Sequence, residues 1–431
     1  MRPQDHDRPD ATVALTAAGV TVLIDAGGGR LPAIVHWGHE LPALNAEQAA
    51  ALVAASVPVI GSNNVELAPR VAVLPEQHTG WSGKPGLRGS FAGRGWSPAF
   101  TTRSVSLDGG AVSGHRSSGP GAVEILAVDD AGRLQLRLVL ELLASGLFRA
   151  RASVTNLAAE PYSLEELVVS FPVPAEAAEL LDFAGRHNLE RVPQRQPFRT
   201  GVDLRGNRKG RTGADSAYVL HAGTPGFGFA GGHVWAVHTA WSGNHVHYAE
   251  RASTGEQLIG GGELLLPGEV RLATGDSYQS PWVYGSYGEG LDEVARRFHR
   301  YLRNRERAVS ADRPVSLNVW EAVYFDHDLD RLVELAERAA AVGVERYVLD
   351  TAGSARDATN APASATGPCP PTSGPTVCIR WSSGSRRWGC GSVSGSSPRW
   401  SARTRTWPAP TRTGSWPPGP TGLSSPATSR C

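Results

Sequence analysis

The residues of this chain whose types and spacing could do chemistry gather at two predicted strand ends and one short acidic cluster. Val315 to Trp320 reads as a buried strand, Leu329, Leu332, Val333, Ala336, Ala339 and Ala340 form a helical stripe, and Val344 to Leu349 reads as a second strand. Strand, helix, strand in this order is how a (β/α)8 barrel begins, and such barrels do their chemistry at the C-terminal ends of the strands. The residues at those ends are Trp320 and Asp350. Each also suits a purely structural part, the tryptophan as core and the aspartate as a helix cap or turn residue. Asp326-His327-Asp328 has the residue types of a metal cluster. Its place at the start of a predicted helix makes Asp326 or Asp328 an N-cap instead. Gly343 is the expected helix stop.

Elsewhere the candidates are weaker. Arg205, Arg208, Lys209 and Arg211 form a basic run in a glycine-containing loop, read as a solvated run with sugar contact the rarer alternative. Trp81, Trp96 and Trp241 could stack on sugars, although packing inside a sandwich is the commoner fate of such residues. Gly260-Gly261-Gly262 lacks the strand, loop and helix context that a phosphate loop requires. The four cysteines, Cys369, Cys378, Cys390 and Cys431, include no CxxC pair and have no histidine among them, which argues against zinc. No metal and no cofactor are expected.

These candidates need elements to carry them. From about Val13 to Tyr287 the chain reads as strands. Val20, Val22 and Ile24 alternate before Gly27-Gly28-Gly29, and Leu134, Leu136, Leu138, Leu140 and Leu142 alternate after the Asp130-Ala131-Gly132 turn. Period two over nine residues predicts a half-buried strand. Shorter runs recur at 164–173, 218–221, 233–241 and 263–273, so residues 1–290 are expected to form a large antiparallel sandwich. At Leu291 the period changes. Leu291, Val294, Ala295, Phe298 and Leu302 make one helical stripe, with Arg296, Arg297, Arg300 and Arg303 assigned to its solvated face. Residues 291–313 are expected as a linker helix, and 314–350 as the first βαβ of a barrel.

Composition breaks sharply after Asp350. The last 81 residues hold nine arginines, no lysine and one acidic residue, Asp357, a charge of +8. With that tail set aside, the first 350 residues carry 33 basic and 40 acidic groups, a charge of −7. The near-zero total and the acidic body suggest neither nucleic acid nor an anionic membrane as partner. The body has no cysteine, the N-terminus has no apolar run, and no stretch reaches the roughly 18 apolar residues of a membrane span. A cytoplasmic protein is expected.

The tail has no Phe, Tyr, His, Glu or Lys, yet it holds Trp381, Trp388, Trp400, Trp407 and Trp416. Natural disorder accounts for its Ser, Pro and Gly but not for five tryptophans. Out-of-frame translation accounts for both. Gly395 to Ala402 can be written GGG TCG AGC CCG AGA TGG TCA GCC; regrouped behind a T this becomes TGG GTC GAG CCC GAG ATG GTC AGC, which encodes Trp-Val-Glu-Pro-Glu-Met-Val-Ser. The same register gives acidic, aromatic-containing peptides from Arg403 to Gly414, Thr351 to Ala355 and Ala365 to Pro375. Residues 351–431 are therefore expected to be a disordered, non-native tail.

The body resembles glycoside hydrolase family 36, the retaining α-galactosidases, in their bacterial form. The resemblance runs from about residue 13 to Asp350. It is carried by Gly80-Trp81-Ser82-Gly83-Lys84-Pro85-Gly86-Leu87, Ala240-Trp241-Ser242-Gly243-Asn244, Pro281-Trp282-Val283-Tyr284 and Asn318-Val319-Trp320-Glu321-Ala322-Val323-Tyr324-Phe325-Asp326. Val348-Leu349-Asp350 is similar to the start of the family's Leu-Asp-Asp-Gly-Trp-Phe stretch. The resemblance implies a β-supersandwich, a central (β/α)8 TIM barrel and a C-terminal β-domain that this chain lacks. It implies retaining hydrolysis of terminal α-D-galactosides such as raffinose-type oligosaccharides, with a galactoside oligosaccharide as partner. Retention needs two carboxyl groups about 5–5.5 Å apart. In the family both are aspartates on later barrel strands, the nucleophile in a Lys-Trp-Asp motif, and no such motif occurs here. No catalytic residue is assigned. Two substrate-binding positions carry over, Asp350 as acceptor from galactose hydroxyls and Trp320 as an apolar wall of the sugar pocket.

Two rival readings stand beside this one, a carbohydrate-binding or structural β-sandwich module, and an α-N-acetylgalactosaminidase of the same family. Homo-oligomerisation is left open. One βα unit cannot close a barrel, so aggregation or proteolysis after about residue 310 is expected.

Overall fold

The computed structural model describes residues 10–58, 70–213, 218–305, 313–324, 326, 328–349 and 391–394. The chain divides into two units, Met1–Val309 and Ser310–Cys431.

The first unit is built on strands whose alternation is visible in the sequence. Leu134–Leu142 buries every second residue, and Leu138 stands opposite Ala152 on one side and Ile125 on the other. Gly132, at φ 65°, makes the turn that enters it. These strands lie in an eleven-stranded sheet. Its order is Leu189–Pro197, Glu179–Arg186, Leu220–Gly223, His233–Thr239, Val283–Glu289, Phe148–Asn156, Leu134–Leu142, Gly121–Asp129, Phe100–Leu107 and Gly110–Ala111, with Ser277–Gln279 paired to Phe148–Asn156. A second sheet runs Val169–Val173, Gln257–Glu263, His245–Arg251, Gly201–Asn207. A third holds Ala33–His39, Val20–Asp25, Ala11–Ala17 and Gly114–Ser118, the last pair parallel. A three-stranded sheet of Val270–Leu272, Tyr162–Leu167 and Leu87–Ser90 completes the unit.

One apolar core draws on all four sheets, through residues such as Leu15, Val22, Trp37, Leu138, Phe148, Phe171, Ile259 and Tyr162. At its centre Trp37, Phe148 and Phe171 meet with ring centroids 5.1–6.3 Å apart in tilted and edge-on arrangements, the geometry aromatic quadrupoles favour. The glycine triplet 260–262 lies inside a strand of the second sheet. A Cβ on Gly260 would stand 2.5 Å from the Val169 carbonyl oxygen, and one on Gly261 2.3 Å from Thr239 Oγ1. The triplet lets backbones approach closely; it cradles nothing.

Three sequence expectations are corrected. Val20–Asp25 is buried on both faces, because the helix Ala46–Ala55 covers the side away from the main core through Ala49 and Leu23. The 263–273 run is not one strand; pairing stops at Glu263 and resumes only over Val270–Leu272. Arg297 is not on a solvated face. In the helix Leu291–Arg303 it is buried beside Val294, while Leu302, assigned to the apolar stripe, is half-exposed. The Arg297 guanidinium donates to the Tyr287 carbonyl at 2.6 Å, the Ala18 carbonyl at 2.6 Å and Glu293 Oε1 at 2.7 Å. Two backbone oxygens and one carboxylate satisfy it, so its burial is tolerated. This helix, expected to lead a linker over 291–313, belongs to the first unit, where Leu291 and Val294 pack with Leu181, Phe227, Val234 and Ala236.

The second unit is small. Its described sheet is parallel, Ser316–Asn318 beside Arg346–Leu349 and then Gly391–Ser394. Gly391–Ser394 is the described part of the expected non-native tail; the rest of 351–431 lies outside the described residues. The helix Leu329–Ala341 starts at Asp328, whose carboxylate accepts from the Arg331 amide at 2.8 Å, as one of the two expected caps. It stops at Gly343, φ 90°. The Gly343 amide donates to Ala340 and the Val344 amide to Ala339, both at 3.0 Å, a Schellman pair. Val319, Val323, Leu332, Ala336, Ala339, Tyr347 and Leu349 form the unit's core.

Candidate functional site

The end of the first barrel-type strand differs from its sequence-based expectation. Pairing covers only Ser316–Asn318, and its side chains are exposed or half-exposed rather than buried. Trp320 is the first residue of a one-turn helix, Trp320–Val323, not the last of a strand. Asn318 makes the transition. Its side-chain oxygen accepts from the Trp320 amide at 2.8 Å, the local bond by which Asn ends a strand. Val319 turns inward to the core and donates to the Val348 carbonyl at 3.1 Å, which ties this corner to the end of the neighbouring strand.

Trp320 is half-buried and meets Tyr324 edge-on, centroids 5.4 Å apart at 83°. Tyr324 is itself half-exposed and held at φ 46°, a left-handed conformation uncommon for an aromatic residue. Its hydroxyl donates to Glu321 Oε2 at 3.0 Å, and this bond to a carboxylate raises its pKa. An aromatic corner therefore stands at the C-terminal end of the strand. Tyr324 was not singled out in the sequence, although its spacing of four from Trp320 on a helical turn was the available signal. Asp350, one residue beyond the last strand residue Leu349, lies outside the described residues, as do Phe325 and His327. Among the described residues no group of three His, Cys, Asp or Glu side chains could hold a metal ion. None of the described helices is long and apolar enough to cross a membrane.

The sandwich candidates separate cleanly. Trp81 is 3% exposed and donates through Nε1 to the Lys84 carbonyl at 3.1 Å. It is a packing residue. Trp96, 61% exposed, and Trp241, 41% exposed, are not. In the basic run, Arg205 pairs with Asp182 and reaches Gln194 Oε1 at 3.1 Å. Asn207 organises the loop by accepting from the Lys209 amide and donating to the Arg211 carbonyl. Arg208 lines the same groove as Trp96.

Residues 30–273 match the glycosyl hydrolase family 36 N-terminal domain, and residues 277–361 match the melibiase model, whose reach thus extends past Asp350. An α-galactosidase of Escherichia coli is 31% identical over 320 residues, 74% of this chain and 43% of that protein. The galactosidase domain of AgaSK, an α-galactosidase and sucrose kinase known from Mediterraneibacter gnavus, shares the fold with TM-score 0.72 at 20% identity, over 88% of this chain and 55% of that one. AgaA of Geobacillus stearothermophilus does so with TM-score 0.67 at 20% identity, over 79% and 50%. The chain spans about half the length of these relatives or less.

Proposed function

The chain belongs to glycosyl hydrolase family 36, and on that premise we propose that it is the sandwich and barrel start of a retaining α-galactosidase whose reading frame slips after Asp350. The observation that carries this reading is the corner at Asn318 to Tyr324. It presents an indole at the C-terminal end of a parallel strand, where barrel enzymes bind their substrates. Trp320 would wall a galactose ring, and Asp350 would accept from its hydroxyls. Variants of AgaA have been solved with stachyose and with raffinose, which supports a raffinose-type substrate here.

Hydrolysis with retention runs through two carboxyl groups, one attacking the anomeric carbon and one protonating the departing oxygen and then activating water. The sequence has no Lys-Trp-Asp motif to supply the first. The chain as translated is therefore proposed to be inactive, and cytoplasmic in keeping with its cysteine-free body. The test is release of nitrophenol from a nitrophenyl α-galactoside. This chain should release none, and a version with the frame restored should release it readily. A restored protein without activity would falsify the assignment. Resequencing codons 350 to 361, the interval between the composition break and the end of the melibiase match, locates the slip.

A further inference from the structure

One wide groove, of about 910 Å³, lies on the sandwich and is lined only by residues of the first unit. Its volume falls within the range of small-ligand sites, roughly 300–1,000 Å³. Five separate stretches of chain meet there, around Gln77–Trp96, Glu165–Glu166, Val202–Arg208, Val246–Glu250 and Leu264–Leu265.

The charges in the groove cancel. Lys84, Arg88 and Arg208 face Glu165, Glu166 and Glu250. Lys84 Nζ pairs with Glu166, and Arg88 Nη2 with Glu165 Oε2 at 3.2 Å. Such a lining offers planar, oriented donors and acceptors but no net field. It does not select a phosphorylated or otherwise charged ligand.

Polar capacity is left over. Glu250 is 3% exposed; its Oε1 accepts from the Lys84 amide at 2.8 Å, while its buried Oε2 has no partner among the described residues. Burial raises its pKa. An unpaired buried acceptor is costly unless something completes it. Beside these groups the walls are apolar and exposed. The Trp96 indole is 61% exposed, and Val202 and Leu204 are 49% and 48% exposed.

A neutral lining with spare hydrogen-bonding groups beside an open indole matches one ligand chemistry above others, a ring with a C–H face and hydroxyls around its edge. We propose that this groove is a non-catalytic binding site for neutral oligosaccharides, with Trp96 as the stacking platform and Lys84, Glu166 and Glu250 as hydroxyl partners. It uses no residue of the barrel start, so it stands apart from the galactosidase reading.

The test is calorimetric titration of the full chain with raffinose, stachyose and maltotetraose, with trigalacturonate as the charged control. At least one neutral sugar should bind and trigalacturonate should not. Trp96→Ala should weaken binding about tenfold or more, the scale of losing one exposed stacking aromatic. The indole is largely solvent-exposed, and the circular dichroism spectrum should be unchanged. Trp241→Ala, an exposed tryptophan that does not line the groove, should leave binding as it is. The proposal is overturned if no neutral sugar binds, if the charged sugar binds better, or if Trp96→Ala binds like the parent chain. Binding that survives Trp96→Ala and is lost in Trp320→Ala would place the sugar at the barrel start and overturn it equally. None of these readouts depends on hydrolysis.

Discussion

The two units of this molecule answer the same physical problem with unequal means. In the sandwich, four sheets share one core, and even a buried guanidinium finds two carbonyls and a carboxylate. In the barrel start, two strands and two helices close over seven buried side chains, and apolar side chains stay in water at its margins: Val315 is 58% exposed and Val342 81%. A parallel strand is normally covered on both faces. Here Ser316–Asn318 is exposed or half-exposed throughout. The lesson is about completeness. The sandwich buries what its sequence pattern asks it to bury, whereas among the described residues the βαβ piece leaves its first strand, Ser316–Asn318, open.

Three substitutions or conditions probe that difference. The largest effect is expected from Arg297→Leu, which strands the carbonyls of Tyr287 and Ala18 and removes the Glu293 partner. About 3–4 kcal/mol of sandwich stability should be lost in urea titration, against less than about 0.5 kcal/mol for the exposed Arg300→Ala on the same helix. Equal effects would return Arg297 to the solvated face.

Acid should act next. His221 is buried, with Nδ1 3.2 Å from the Leu181 carbonyl, and burial lowers its pKa to about 4. The folded value lies below the unfolded value of 6.5, so protons bind the unfolded chain more tightly. Stability from this site is whole above about pH 6.5 and is lost as pH falls towards 4, up to about 3 kcal/mol. His247, buried with its pKa pushed down by the same cause, adds to the loss. Melting curves of the sandwich between pH 7 and 4 should show this decline, and His221→Gln should flatten it.

The smallest effect belongs to the barrel start. Asp328→Ala removes the N-cap of Leu329–Ala341 and should cost that helix about 1 kcal/mol. The readout is faster amide exchange across 329–341 with the sandwich transition unchanged.

Much of this was legible in the sequence, and the exceptions have physical causes. Leu134–Leu142 announced its alternation, and Asp328 and Gly343 marked both ends of their helix. The helix Ala46–Ala55 went unread although Asn45 and Gln48 spell a capping box that the structure forms. Arg297 was misplaced because periodicity scores a residue by its polarity. What admits it to the interior is a pair of carbonyls, one of them 279 positions away in the chain. Trp81, Trp96 and Trp241 look alike in sequence. Only tertiary packing decides that the first is buried and the second stands open in a groove. At the candidate site the motif points to Trp320, but its placement at the head of a helical turn depends on the Asn318 side chain, a detail finer than strand patterning.

Amide hydrogen exchange across the whole chain tests the contrast between the two units most directly. The amides of Leu134–Leu142 and Phe148–Asn156 should exchange only by global unfolding, while those of Ser316–Asn318 and Arg346–Leu349 should exchange orders of magnitude faster through local opening. Equal protection in both sets would contradict the account, because it would mean that the barrel start is as complete as the sandwich.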